Sequence, residues 1–207
     1  VKDRLPGVTV QRLPLYLKCL DDLPAGQAQI SSEELANQVG LNAAMVRKDL
    51  SYLGSCGVRG VGYNVEHLRF HIKQALGLNN TWPIVIVGIG NLGRALANFD
   101  RFSSEGFHAV GLFDNDPEKV GDRVDGLAIE HINELAAAVA DRSAVIGVIA
   151  TPAHAAQEVA DLLAGSGVRS ILNFAPTVIK VPAGVKVRQA DFSTEMQVLA
   201  FYLHQQS

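Results

Sequence analysis

The chain of 207 residues is long for one compact core and short for three, so two domains are expected. Its 48% apolar and 19% charged residues exclude a disordered polyelectrolyte, and no run of about 18 uncharged apolar residues is present to form a spanning helix. The formal net charge of −3 argues against a polyanionic partner for the chain as a whole, but residues 1–80 carry nine Lys and Arg against seven Asp and Glu, and residues 81–207 carry nine against fourteen. The positive charge therefore sits where a nucleic-acid-binding module would need it. The opening VKDRLPG lacks the apolar stretch of a signal peptide, so a soluble cytoplasmic protein is expected. Cys19 and Cys56 form no C-x-x-C pair, and neither a metal site nor a disulfide framework is expected.

In chain order, Val10, Leu13, Leu17 and Leu20 recur at helical spacing and predict a first helix capped by Thr9, with a kink at Pro14. Ser31 and Glu34 have capping-box spacing and predict a second helix that stops at Gly40. Asn42 opens a third helix running to Leu53, with Val46, Leu50 and Leu53 on its inner face and Arg47, Lys48, Ser51 and Tyr52 turned to solvent. Two helices joined by a short glycine turn make a helix-turn-helix, in which arginine can pair with guanine edges while lysine and hydroxyls reach phosphates. Four glycines around Arg59, from Gly54 to Gly62, predict a side-chain-poor hairpin, a wing able to bring Arg59 and Gly60 against the sugar-phosphate backbone. A helix over residues 65–76, stopped by Gly77, closes a winged-helix DNA-binding domain over residues 1–80.

The second part opens with a β-branched apolar strand from Trp82 to Val87, followed by Gly88, Ile89, Gly90, Asn91, Leu92 and Gly93 in G-x-G-x-x-G order and then a helix. That strand-turn-helix context marks a Rossmann-type dinucleotide fold, a doubly wound parallel sheet of the α/β class. A strand over 108–113 ends at Asp114, placed to bond the adenosine ribose; its charge disfavours a 2′-phosphate and Asn115-Asp116 adds no cation, so NAD and NADH are preferred over their phosphorylated forms. Helices over 133–140 and 155–163 alternate with strands over 144–150, 170–173 and 185–188. The strand ends put Thr151, Pro152, Asn173, Phe174 and Ala175 beside the nicotinamide half of the cofactor. Residues 81–190 form this domain. Over 191–207 a capping box of Thr194 and Gln197 opens a terminal helix that is apolar nearly all round, to be covered by its own subunit or by a second copy in a dimer.

Winged helix followed by Rossmann domain resembles the Rex family of redox-sensing transcriptional repressors. The resemblance is carried by Arg12-Leu-Pro-Leu-Tyr-Leu17, Val46-Arg-Lys-Asp-Leu-Ser-Tyr-Leu-Gly54, Arg59-Gly-Val-Gly-Tyr63, the glycine fingerprint, Asp114-Asn-Asp-Pro-Glu-Lys-Val-Gly121 and Ile171-Leu-Asn-Phe-Ala-Pro176. It implies a homodimer with an exchanged terminal helix, binding to double-stranded operator DNA at low NADH and release when NADH binds. The family's arginine late in the first helix and tyrosine in the first Rossmann helix are replaced by Lys18 and Phe99, which reduces the implied switch to a Lys18–Asp191 pair. An apolar pocket lined in part by Phe192 of the partner subunit is expected to accept the uncharged reduced ring and to disfavour the cationic NAD+ ring. The rival reading is an NAD-dependent dehydrogenase with an accessory domain, for which His154 is the best proton donor; a coenzyme A pocket is disfavoured by Asp114 and the full fingerprint.

Overall fold

A computed structural model describes residues 5–54, 57–58 and 60–205. The chain divides into two compact units, Val1–Asn80 and Thr81–Ser207.

In the first unit, helix α1 (Gly7–Asp21) begins three residues earlier than the sequence predicts, with Pro6 rather than Thr9 at the cap position. Thr9 lies inside the helix and is buried, whereas Val10 is exposed, so the inward stripe is Thr9, Leu13, Tyr16, Leu17 and Leu20. The reason is the buried Asp49 carboxylate, whose Oδ1 accepts from the Thr9 hydroxyl at 2.8 Å and draws it inward. The helix runs unbroken through Pro14, which faces solvent. Strand β1 (Gln29–Ile30) leads to α2 (Ser32–Val39), whose capping box is present in full: Glu34 N donates to Ser31 Oγ and Ser31 N to the Glu34 carboxylate, which this bonding holds below the usual carboxylate range. Gly40 ends α2 at φ +67°, a left-handed conformation that costs glycine little. Helix α3 (Ala43–Ser51) starts from Asn42, whose Oδ1 accepts from Ala44 N, and stops at Tyr52, short of the predicted Leu53.

Strands β2 (Gly57–Val58) and β3 (Gly62–Asn64) form the hairpin of the wing, and β1 pairs on the other side of β3, giving an antiparallel sheet in the order β1-β3-β2. The two-residue strand β1 has too little pattern to be read from sequence. Helix α4 (Val65–Leu76) closes the unit, and Leu13, Leu20, Ile30, Leu35, Val46, Leu50, Leu68 and Ile72 form its core.

The second unit is built on a seven-stranded sheet of β4 (Trp82–Val87), β5 (Phe107–Asp114), β6 (Arg123–Val124), β7 (Leu127–His131), β8 (Ile146–Ile149), β9 (Ser170–Asn173) and β10 (Lys186–Gln189), in the order β10-β9-β8-β4-β5-β7-β6. Every pairing is parallel except β6 with β7. Period-2 alternation sends Val85 and Val87 of β4 into one core with Phe113, Leu135, Val159 and Leu163, and Ile84 and Ile86 into another with Leu112, Ile129 and Val148. Helices α5 (Asn91–Ala97), α6 (Asp100–Ser104), α7 (Leu135–Asp141) and α8 (Ala156–Gly165) complete this Rossmann-type layer structure.

Helix α9 (Phe192–Gln205) also departs from expectation. It starts before Thr194, so the predicted capping box does not form; Asp191 serves instead, accepting from Ser193 N at 2.9 Å. No residue of α9 is buried, and Met196, Leu199, Phe201, Tyr202 and Leu203 are all more than half exposed. Among the described residues no helix is long and apolar enough to cross a membrane.

The Ser31 cap fixes the start of α2, and an alanine there leaves orphan N–H groups. Ser31→Ala is expected to lower the stability of the first unit by about 1 kcal/mol, read as a lower urea midpoint by circular dichroism.

Candidate functional site

The parallel sheet reverses direction of winding between β4 and β8, the point beyond whose strand ends folds of this kind bind their ligands. The chain leaves β4 through Gly88 at φ +94°, where a Cβ would lie 2.8 Å from the Ala150 carbonyl and from Thr151 Cγ2. A Cβ on Gly93 would lie 2.0 Å from Gly88 O, so only glycine lets α5 begin this close to the strand. Gly90, the residue before α5, has open space around it. Ile89 turns its side chain into the core and offers only backbone, while Asn91 and Leu92 are exposed. Thr151 Oγ1 is buried without a hydrogen-bond partner, an unmet polar group that points to a ligand. A cradle closed to side chains and an orphaned hydroxyl at the switch point both fit the pyrophosphate region of a dinucleotide.

Asp114 ends β5 nearly buried. Its Oδ1 accepts from Asp116 N at 3.0 Å; its Oδ2 accepts from Ile89 N at 2.7 Å and from Lys119 Nζ at 3.1 Å. Burial pushes this carboxyl up, but the two backbone donors and the ammonium outweigh it and hold the acid below its ordinary range. Lys119 was not among the residues singled out from sequence; it lies five positions on, beyond the turn at Asp116-Pro117, and that spacing on the same loop was the available signal. Asn173 is fully buried and its amide is occupied: Nδ2 donates to Thr177 O and Gln189 Oε1, and Oδ1 accepts from Ala175 N. It braces the loop after β9, holding Ala175 in the core. Phe174 is half-buried with its ring 6.2 Å from that of Phe192 in the same chain, while Pro152 and His154 are exposed.

In the first unit, Arg47, Lys48 and Ser51 lie exposed on α3, and Tyr52 is half-buried after it. Arg47 Nη1 donates to Ser32 Oγ at 2.9 Å and Ser51 Oγ to Lys48 O at 2.7 Å. With Ser31, Gly57 and Gly60, Arg47 and Ser51 line one cleft between the helices and the hairpin. Gly60 sits at the hairpin turn with φ +82°; Arg59 and Cys56 lie outside the described residues.

A second residue that sequence reasoning missed is Asp49. It lies on the inward face of α3 and is 1% exposed, and each of its oxygens takes two hydrogen bonds. Oδ1 accepts from Thr9 Oγ1 at 2.8 Å and Arg12 Nη2 at 2.7 Å; Oδ2 accepts from Arg12 Nε and Tyr16 Oη, both at 2.7 Å. The bidentate arginine and two hydroxyls bolt α3 to α1. Burial raises the Asp49 carboxyl, but these donors more than offset it and keep the acid ionised below the usual range. Burial and the same carboxylate push the Tyr16 phenol well above its ordinary value. The signal was an acid at a helix position between Val46 and Leu50, with Thr9, Arg12 and Tyr16 spaced three and four apart upstream.

Of the residues expected to form a switch, Lys18 is exposed near the end of α1. Phe99 is exposed and packs edge-on to Phe102 at 5.1 Å. The Asp191 carboxylate is engaged by the Ser193 hydroxyl and N–H and by Thr194 Oγ1, which together depress its pKa. Among the described residues, no three His, Cys, Asp or Glu side chains gather as a metal site.

Two outcomes follow. With its pKa lowered by folding, Asp49 stabilises fully above an ordinary carboxylate value of about 3.9 and loses that effect as pH falls through the depressed value. Asp49→Asn should lower stability at pH 7 by about 3 kcal/mol, with the deficit shrinking toward pH 3 in urea titrations. Gly93→Ala should abolish binding of an NADH-type ligand, measured by fluorescence titration, while leaving the first unit folded by circular dichroism.

A family model described as "CoA binding domain" matches residues 79–177, and one described as "Putative DNA-binding protein N-terminus" matches residues 4–51. The chain is 55% identical over 199 residues to the redox-sensing transcriptional repressor Rex of Streptomyces coelicolor, covering 96% of this chain and 77% of that protein. It is 46% identical over 202 residues to that of Chloroflexus aggregans, covering 97% and 95%. Among solved structures, RSP in complex with β-NAD+ and operator DNA superposes with a TM-score of 0.92 at 32% identity, covering 99% of this chain and 95% of that one. RSP in complex with β-NADH gives 0.89 at 32%, covering 99% and 97%. With identity of this level over nearly the whole length, the chain belongs to the Rex family of redox-sensing transcriptional repressors.

Proposed function

We propose that this protein binds operator DNA as a homodimer when NADH is scarce and leaves it when NADH occupies the Rossmann unit, so that transcription follows the NADH/NAD+ ratio. The observation that carries the reading is the full-length likeness to RSP, which has been crystallised with β-NAD+ and operator DNA and with β-NADH. The chain is a regulator and not an enzyme: its full-length relatives are named as repressors.

In this reading residues 1–80 are the reading head, 81–190 the sensor and 191–207 the exchanged helix. The backbone of Gly88, Ile89, Gly90, Asn91, Leu92 and Gly93 cradles the pyrophosphate, Asp114 takes the adenosine ribose, and Thr151 Oγ1 finds its missing partner on the cofactor. Pro152, Phe174, Ala175 and Phe192 shape the nicotinamide end, with Asn173 bracing the loop. NADH supplies an uncharged ring that an apolar surround accepts more readily than the cationic ring of NAD+. The unburied apolar surface of α9 is covered by a second copy, giving the two-fold symmetry that a palindromic operator requires. Arg47, Lys48, Ser51 and Tyr52 enter the major groove, Arg59 and Gly60 reach the minor groove, and Asp49 holds α3 at the angle this needs. Lys18, Phe99 and Asp191 are the switch residues of this reading. The site of action is the cytoplasm.

The test is fluorescence anisotropy on a palindromic duplex selected by the native protein from a random pool. NADH should release the duplex and NAD+ at equal concentration should not. No binding to any duplex, or equal release by both cofactors, would overturn the reading.

A further inference from the structure

The acid at the end of the second Rossmann strand is the usual reason such a site rejects a 2′-phosphate, and sites that accept one place a cation there. In this chain the cation is already present. Lys119 Nζ lies 3.1 Å from Asp114 Oδ2 and 3.4 Å from Asp116 Oδ2, on the loop that leaves β5. Asp114 is the buried member of this group, its side chain 6% exposed; the side chains of Lys119 and Asp116 are about one-third exposed and reach solvent. The Asp114 carboxylate is also anchored without the lysine, by Asp116 N on one oxygen and Ile89 N on the other. Its position is therefore set by backbone, and the lysine is an added charge rather than the post that holds it.

We propose that Lys119 is a specificity-determining residue of the dinucleotide site: paired with Asp114 it moderates the charge facing the adenosine ribose, and with that carboxylate removed it becomes the cation that receives a 2′-phosphate. Preference for NADH over NADPH then rests on one residue, Asp114, because the second half of an NADPH site is built in. Asp116 remains as an alternative partner for Lys119, but it is a solvent-exposed monoanion, whose pairing is weak beside that of a phosphate carrying nearly two charges. No bond is made or broken; the change is one of affinity. The inference rests on the dinucleotide reading above.

The experiment measures NADH and NADPH dissociation constants, by isothermal titration, for the native chain, Asp114→Ser, Asp114→Ser with Lys119→Met, and Lys119→Met alone. Binding of the selected operator duplex without cofactor serves as the check of folding. Asp114→Ser should gain about tenfold or more in NADPH affinity, the worth of one charge-assisted contact, and NADPH should now release its operator. The added Lys119→Met should erase the gain. Lys119→Met alone, at a partly exposed side chain whose partner Asp114 is anchored by backbone, should raise the ratio of NADPH to NADH dissociation constants by up to about fivefold. An unchanged ratio, or a double variant that binds NADPH as well as Asp114→Ser does, overturns the proposal. If the native chain binds NADH and Asp114→Ser folds without gaining NADPH, this proposal falls alone; if the native chain does not bind NADH, the cofactor reading falls with it.

Discussion

The approach of Gly93 to the carbonyl of Gly88, too close for any side chain, is the constraint on which the sensor unit depends. It lets α5 start directly over the end of β4, and Gly88 in turn brings the same loop against Ala150 and Thr151 after β8. Strand ends from both halves of the sheet thus meet at the glycine loop: Thr151, whose buried hydroxyl is unpaired, packs against Gly88, and the Asp114 carboxylate accepts from Ile89 N. A dinucleotide suits such a place because its phosphates need close backbone and its ribose needs an acid.

The reading head depends on a different device with a similar effect. Asp49 is an ionised group in a small apolar core, tolerable only because four hydrogen bonds, two of them from one guanidinium, fill its lone pairs. Since Thr9, Arg12 and Tyr16 come from α1 and Asp49 from α3, the helix that presents Arg47 and Lys48 inherits its orientation from the first helix. Apolar packing alone would fix that angle less sharply, because it has no direction.

Elements with a strong local signature were legible in the sequence: the Ser31 capping box, the Gly40 turn, the Asn42 cap, and the strand-glycine-helix passage from Trp82 to Ala97. What escaped was governed by partners distant along the chain. The Thr9 hydroxyl has a good local use as a cap, yet Asp49, forty residues on, takes it. The β6–β7 hairpin carries a local signal too, since Asp125 and Gly126, both at positive φ, are a favoured two-residue turn, but its first strand is too short to show a pattern. At the site, the glycines and Asp114 were legible because their chemistry is local. Asn173 was placed against the cofactor for want of any sequence signal that Gln189 and Thr177 would occupy its amide.

Sensing further demands that the cofactor bind the two postures of the dimer unequally, since a ligand indifferent to posture shifts nothing. In the proposed reading the terminal helix, with its apolar side chains unburied in the single chain, links a second copy to the pocket; the ring of Phe192 at its start lies 6.2 Å from that of Phe174. Linkage makes this claim reciprocal: what NADH does to the grip on DNA, DNA must do to the grip on NADH. The most direct test is therefore the NADH dissociation constant of the native dimer, measured with and without saturating operator duplex. The account requires NADH to bind more weakly on DNA, by the same factor by which NADH weakens the DNA complex; an identical NADH affinity in both conditions would contradict it.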